Sequence, residues 1–279
     1  MRLDASDEMV DHLVDFFDYI APAYDAWAGG LHGRVASALV AMAAPKKGEH
    51  VLDVGTGTGV CAHLAAAKVG KGNVIGIDLS DRMLLTARKK AKKNTLFMSM
   101  AAERLVFKPE TFDLVIMGEA LVYLSDPATA LNEANRVLRA GGRLAVSCHR
   151  RSLSTPAQDL FFKGLTPLAQ IHNLRLPRYS AERARFGERE VLPRLIAESG
   201  FAVTNMSEFV TGGRATDAHA WVELMEGAGP LPHTIITALG PRFRRELEAE
   251  LTEAMESLDD PDDAYRYHHS YLLVIGTKR

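Results

Sequence analysis

Three glycines spaced two apart, Gly55, Gly57 and Gly59, follow the apolar run Val51-Leu52-Asp53-Val54. Glycine lets a backbone turn at positive φ and lets a bound group approach without meeting a Cβ. Asp53 sits inside the apolar run and Thr56 inside the glycine turn. The stretch after Gly59 reads as a helix, whose free amides and positive dipole end face the same space. Such a turn suits a small ligand with a negative or polar end. A second apolar run, Asn73-Val74-Ile75-Gly76-Ile77-Asp78, closes on another acid.

Two ligands compete for this pattern. Gly57-x-Gly59-x-x-Ala62 fits the looser dinucleotide fingerprint and so an NAD-dependent oxidoreductase. Asp53-x-Gly55-x-Gly57-x-Gly59 resembles the first motif of class I S-adenosylmethionine-dependent methyltransferases. An acid ending the second strand holds ribose hydroxyls in either case. The downstream motifs favour the second ligand. Ala102-Glu103-Arg104-Leu105, then Phe112-Asp113-Leu114-Val115-Ile116, then Leu138-Arg139-Ala140-Gly141-Gly142-Arg143-Leu144 resemble the ubiquinone/menaquinone-type C-methyltransferase branch. The resemblance runs over residues 16–148.

It implies S-adenosylmethionine as cofactor and a set of contacts for it. The loop carrying Asp53, Gly55, Thr56 and Gly57 would take the zwitterionic tail. Asp78 would accept two hydrogen bonds from the ribose diol, a geometry that amides and alcohols copy poorly. Leu79 would pack on the adenine, and Gly118 would face the methionine moiety. Where the family commonly places an acid for the adenine amino group, this chain has Ala101. Adenine recognition then falls to Ala102 or Glu103. The segment Phe16 to Asp25, with Tyr19 and Tyr24, resembles the one that closes over the cofactor.

The elements that must position these residues follow from periodicity. Strands are expected near 50–54, 73–78, 95–100, 112–117 and 142–148, with helices near 60–69, 81–92 and 127–138. Short connections between alternating strands and helices require a parallel sheet with helices on both faces. Asp126-Pro127 reads as a helix start and Gly141-Gly142 as the stop of that helix. The expected fold is α/β: a Rossmann-like, seven-stranded, mostly parallel sheet with helices on both faces, with helical lid and cap insertions and, as the resemblance implies, an antiparallel last strand. The expected order is an N-terminal helical lid or arm over 1–44, the cofactor-binding core over 45–149, and a substrate-cap insert over 150–187. The core then continues over 188–211, a helical insert spans 212–264, and the last core strand spans 265–279. Pro156, Pro167 and Pro177 are expected to break any long helix in the first insert. In the second, Phe243, Leu247, Leu251, Ala254, Met255 and Leu258 form one helical stripe.

At the N-terminus Met9, Leu13, Phe16, Phe17 and Ile20 recur at helical spacing among acids. This helix reads as packing on its own domain, as a lid, or as an arm that docks on a second copy. Pro22 ends it.

Composition narrows the class. The 279 residues suffice for one large domain with a cap, and 47% hydrophobic with 24% charged residues is ordinary for a globular chain. A formal charge of −2 argues against a general nucleic-acid binder. The cluster Lys89, Lys90, Lys92 and Lys93 suits the end of a helix. Cys61 and Cys148 as the whole cysteine complement fit a reducing cytoplasm. The N-terminus is acidic, unlike a signal peptide, and the apolar run Val35 to Ala44 is far short of the ~20 residues that span a bilayer. No cluster has zinc spacing, and His268-His269 would point to opposite faces of a strand.

Methyl transfer is an in-line displacement in which much of the acceleration comes from holding two groups at attack distance. A base is needed only where the acceptor must lose a proton. His149, past the fifth strand, is the best-placed candidate; Tyr19, Tyr24 and Tyr123 could line the pocket or polarise an acceptor oxygen; His32 and His172 are weaker. The expected activity is transfer to a small, largely apolar acceptor, a quinol-like ring or natural-product scaffold, at carbon before oxygen or nitrogen. The rivals are cyclisation or rearrangement with the same fold and cofactor, the NAD-dependent oxidoreductase, and an inactive cofactor-bound interaction module.

Overall fold

The computed structural model describes residues 5–150, 155–171, 185–258 and 264–279. Seven strands form one sheet: β1 (Val51–Val54), β2 (Val74–Asp78), β3 (Thr95–Ser99), β4 (Phe112–Gly118), β5 (Leu138–Arg150), β6 (Phe201–Arg214) and β7 (Arg266–Lys278). Their order is β3-β2-β1-β4-β5-β7-β6. β1 pairs in parallel with both β2 and β4, β2 with β3, and β4 with β5. The chain therefore winds outward from β1 in one direction and returns to β4 for the other. That reversal opens a crevice at the carboxyl ends of β1 and β4.

The last strands run antiparallel. Lys278 Nζ donates to the carbonyl of Leu138 at 2.7 Å, while the rings of Tyr271 and His149 meet at 5.3 Å. The far end of β7 thus lies beside the start of β5.

The helices are α1 (Ala5–Ile20), α2 (Trp27–Ala43), α3 (Val60–Val69), α4 (Asp81–Lys89), α5 (Pro127–Val137), α6 (Pro156–Ile171), α7 (Leu192–Glu198), α8 (Ala218–Glu226) and α9 (Pro230–Glu256). Local chemistry sets their starts. Asp126 Oδ1 accepts from the amide of Thr129 at 3.1 Å, capping α5 behind Pro127. Ser80 Oγ accepts from the amide of Met83 at 3.1 Å, so Ser80 caps α4.

Several boundaries differ from the sequence expectation. The sequence places a second helix over His32 to Ala44, whereas α2 begins at Trp27. The sequence places a helix from about Glu188 to Ser199, whereas α7 starts at Leu192, with Pro193 in a first-turn position where its missing amide costs nothing. α4 ends at Lys89, so Lys92 and Lys93 lie beyond it. Gly141-Gly142 does not stop a helix: α5 ends at Val137 and both glycines lie inside β5. Gly141 has φ +72°, and the β4–β5 register shifts between the Phe112–Leu138 and Leu114–Arg143 pairs, which makes the glycines a bulge. Pro167 does not break α6, which runs through it from Pro156 to Ile171. Pro177 and His172 lie outside the described residues.

Two compact units emerge. One comprises residues 1–150, 179–209 and 271–279; the other comprises 151–178 and 210–270. The first buries Leu52, Val54, Val115, Met117, Leu144 and Val146 from the central strands. Strands buried on both faces read as near-continuous apolar runs, which is how β1 and β4 looked in sequence. The second packs Phe161, Leu165, Trp221, Val222, Ile235 and Leu251 around its own centre. Of the stripe on α9, Leu247, Leu251 and Met255 are buried, and the helix kinks at Gly240-Pro241, where Gly240 has φ +75°.

Candidate active site at the carboxyl ends of the strands

The glycine turn leaves β1 with Gly55 at φ +64° and Gly57 at φ +53°. A Cβ at Gly55 would stand 2.5 Å from the Ala120 Cβ, so the turn packs against the segment after β4. A Cβ at Gly57 would meet nothing within 4 Å, which places that residue against open space. The turn borders a cleft of about 410 Å³, open to solvent.

Asp53 fastens the turn from beneath. Its Oδ2 accepts from Thr56 Oγ1 at 2.6 Å and from the amide of Ala62 at 2.9 Å, tying the strand end to the first turn of α3. The side chain is 1% exposed. Burial outweighs both bonds, and with the charge of Asp78 it pushes the carboxyl up to about 7.

Asp78 closes the rim. Its Oδ2 accepts from the amide of Gly57 at 2.8 Å and its Oδ1 from the amide of Ser80 at 2.9 Å. Burial raises its pKa, while the Ser80, Gly57 and Leu79 amides act to lower it. The glycine turn and the second acid are thus one hydrogen-bonded assembly.

The cleft brings together Tyr24, Asp53, Gly55, Thr56, Gly57 and Gly118 from the sequence expectation. Asp78 joins them through Gly57. Gly118 approaches α3 closely enough that a Cβ would meet Cys61 Sγ at 3.0 Å. The other expected residues do not line the cleft. Tyr19 and Leu79 are exposed, and Ala102 is buried. Glu103 Oε1 accepts from Ser125 Oγ at 2.6 Å and from the amide of Asp126 at 3.1 Å, so its side chain is engaged at the start of α5. Tyr123, in a 3-10 turn over Leu121–Tyr123, meets the Phe17 ring at 5.1 Å. His149 is exposed, with its ring edge against Tyr271.

His32, Thr58, Glu119 and Ser147 are among the cleft residues that escaped the sequence reading or were underrated by it. His32 had counted only as a weak base. Its ring stacks on Tyr24 at 4.1 Å, with Trp27 at 5.1 Å. Glu119 follows β4 directly, a position where strand ends meet ligands, and that placement was the available signal. Burial first, and then the nearby Glu119 carboxylate, push the Tyr24 phenol well above its ordinary range.

The N-terminal segment is fastened to the same region by two acids. Asp18 Oδ1 accepts from Ser80 Oγ at 2.5 Å and the amide of Arg82 at 3.2 Å. Asp25 accepts from Thr58 Oγ1 at 2.5 Å and pairs with Lys90. Among the described residues no group of His, Cys, Asp and Glu is arranged to hold a metal ion, and no helix is long and apolar enough to cross a membrane.

Known proteins are similar to this chain in sequence and fold. A methyltransferase-domain family matches residues 52–146. Aklanonic acid methyltransferase of Streptomyces sp. (strain C5) is 37% identical over 164 residues, covering 57% of this chain and 74% of that protein. The ubiquinone/menaquinone biosynthesis C-methyltransferase of Vibrio cholerae serotype O1 is 30% identical over 224 residues, covering 74% of this chain and 86% of that protein. A methyltransferase-like structure from Bacillus halodurans superposes with a TM-score of 0.60 at 21% identity, over 87% of this chain and 98% of that one, which speaks for the fold. With the parallel winding, the glycine turn and the acid at the end of β2 in place, the chain belongs to the class I S-adenosylmethionine-dependent methyltransferases, in the branch of the ubiquinone/menaquinone C-methyltransferases.

Proposed function

We propose that this enzyme methylates a small, largely apolar acceptor, a quinol-like ring or natural-product scaffold, with carbon as the favoured atom. The observation that carries the reading is the Gly57–Asp78 hydrogen bond of 2.8 Å, which joins an anion-holding turn to a diol-holding carboxylate at one rim. S-adenosylmethionine needs both, and the residues fit it: Gly57 faces open space, and each Asp78 oxygen keeps lone pairs beyond those given to Gly57 and Ser80. The bound cofactor supplies an electrophilic methyl group on a sulfonium.

The chain's own residues do the rest. Gly55, Thr56 and Gly57 hold the tail, Asp53 keeps their turn in shape, and Asp78 orients the ribose. Leu79 and the backbone at Ala102 and Glu103 take the adenine, because the Glu103 side chain is already bound to Ser125 and Asp126. Gly118 leaves room beside the reacting end. Tyr19 and Tyr24 stand on the segment that excludes water. The acceptor class draws support from the relatives, one named for ubiquinone and menaquinone biosynthesis and one for aklanonic acid.

Calorimetry with S-adenosylmethionine and NADH tests the cofactor, and S-adenosylhomocysteine release with 1,4-naphthohydroquinone tests the acceptor. Saturable binding of S-adenosylmethionine alone and acceptor-dependent release are expected. Tight NADH binding without S-adenosylmethionine binding would defeat the reading.

A further inference from the structure

The His32 ring is held between two aromatic partners, Tyr24 at 4.1 Å with 5° between the planes and Trp27 at 5.1 Å with 26°. Its Nδ1 is buried and has no hydrogen-bond partner. Glu119 Oε1 stands 3.5 Å away, across a gap that closes no hydrogen bond. Buried polar atoms in folded proteins are nearly always satisfied, so an unmet ring nitrogen at a cleft marks a place for a ligand group. Glu119 carries its own mark. Its φ of +58° is a left-handed conformation that a residue with a Cβ rarely adopts, held by bonds from its amide to Ser147 Oγ at 3.1 Å and to the Ser147 carbonyl at 3.1 Å. His32, Tyr24, Glu119 and Ser147 all line the cleft beside the glycine turn.

We infer that His32 and Glu119 are the acceptor-side proton-transfer pair, and that the acceptor presents an acidic hydroxyl, as a phenol, hydroquinone or enol, seated against both atoms. The inference rests on the methyl-transfer reading. The hydroxyl O–H bond breaks and its proton passes to Nδ1 of His32, forming an imidazolium beside the Glu119 carboxylate. The electron pair left on oxygen activates that oxygen or the ring carbon conjugated to it. A bond forms from the activated atom to the methyl carbon as the methyl–sulfur bond breaks, and that pair stays on sulfur. In methylation at carbon, the displaced ring proton leaves to water, and His32 releases its proton there too.

Neighbouring phenols and thiols leave the role to this pair, and Asp53, also in the cleft lining, is engaged by Thr56 Oγ1 and the Ala62 amide. The phenols of Tyr24 and Tyr271 and the thiols of Cys61 and Cys148 are all pushed up by burial first and by Glu119 among the other causes. These four groups stay protonated and cannot serve as bases. Tyr123 and Arg34 also face the group electrostatically, the arginine acting to lower Tyr271. Tyr24, kept as a phenol, is left as a hydrogen-bond donor to the acceptor oxygen.

The test uses the full chain with S-adenosylhomocysteine added and 4-nitrophenol as the probe, whose ionised form absorbs visibly. Below the probe's own pKa, the bound fraction should show a phenolate-to-phenol ratio roughly tenfold above that of free probe, one pKa unit. His32→Gln and Glu119→Gln should each return the ratio to the free value while near-ultraviolet circular dichroism stays native; His32→Asn serves if the first variant misfolds. No saturable probe binding, no enhancement in wild type, or an enhancement that survives either substitution overturns the inference. Wild-type protein that fails to bind S-adenosylmethionine would instead defeat the methyl-transfer reading, so the two failures are distinguishable.

Discussion

Asp18 and Ser80, 62 positions apart in the chain, share a 2.5 Å hydrogen bond in which the serine hydroxyl donates to the carboxylate. The same hydroxyl oxygen accepts from the Met83 amide at 3.1 Å as the cap of α4. One serine therefore joins the N-terminal helix to α4, two residues from Asp78. Asp18→Ala should cost about 1.5–3 kcal/mol, as for a hydrogen bond to a charged group. Amide exchange in α1 and at the start of α4 should accelerate, and S-adenosylmethionine should bind more weakly. Deleting residues 1–21 should leave a folded core with turnover nearly abolished. Full activity in either form, by S-adenosylhomocysteine release, would leave α1 with a packing role, through Leu13 and Phe16.

Asp78→Ala removes the carboxylate that receives the Gly57 and Ser80 amides. S-adenosylmethionine affinity should fall by about 1.5–3 kcal/mol, roughly 10- to 150-fold in Kd. Exchange of the Gly57 amide should quicken even in cofactor-free protein. Calorimetry that finds unchanged affinity would remove Asp78 from the ribose.

Asp53 makes stability depend on pH in a direction opposite to an exposed, paired carboxylate. Its pKa is about 7 in the folded chain against an ordinary 3.8. Between those values the unfolded chain has released the proton and the folded one keeps it. Raising pH through that window therefore favours unfolding, and the loss levels off above about 7. Wild type measured against Asp53→Asn, which cannot titrate, should lose on the order of 4 kcal/mol across the window. Urea unfolding at several pH values checks this. A difference that is flat with pH would show Asp53 ionised throughout the window.

Much of the fold was legible because its signals are local. The apolar runs of β1 and β4, the glycine turn, and Asp126-Pro127 each state their structure within a few residues. Gly141-Gly142 misled for the same reason: two glycines after a helix resemble a stop, and only pairing with β4 shows that they bulge a strand. The glycine turn and Asp78 were legible, because the backbone demands glycine there and an acid closes the strand. His32 and Glu119 were not. The left-handed φ of Glu119 arises from its bonds to Ser147 on another strand, and the unmet Nδ1 of His32 depends on stacking with Tyr24 and Trp27. No spacing within one segment encodes relations of that kind.

His149 and Tyr24 separate the base read from sequence from the pair proposed in the cleft. The His149 ring lies exposed, its centroid 5.3 Å from that of Tyr271, whose phenol stays protonated through burial and the charge of Glu119. His149 does not line the cleft, so His149→Ala should change kcat by less than about threefold. Tyr24→Phe keeps the stack on His32 and removes one neutral donor. A neutral hydrogen bond is worth about 0.5–1.5 kcal/mol, so kcat/KM should fall roughly 2- to 12-fold. The pH profile should be unchanged, since a phenol that never ionises contributes no limb. Steady-state kinetics on both variants read these outcomes directly. A drop of ~10²–10⁴-fold in kcat for His149→Ala, with S-adenosylmethionine affinity intact, would return the proton-transfer role to the end of β5.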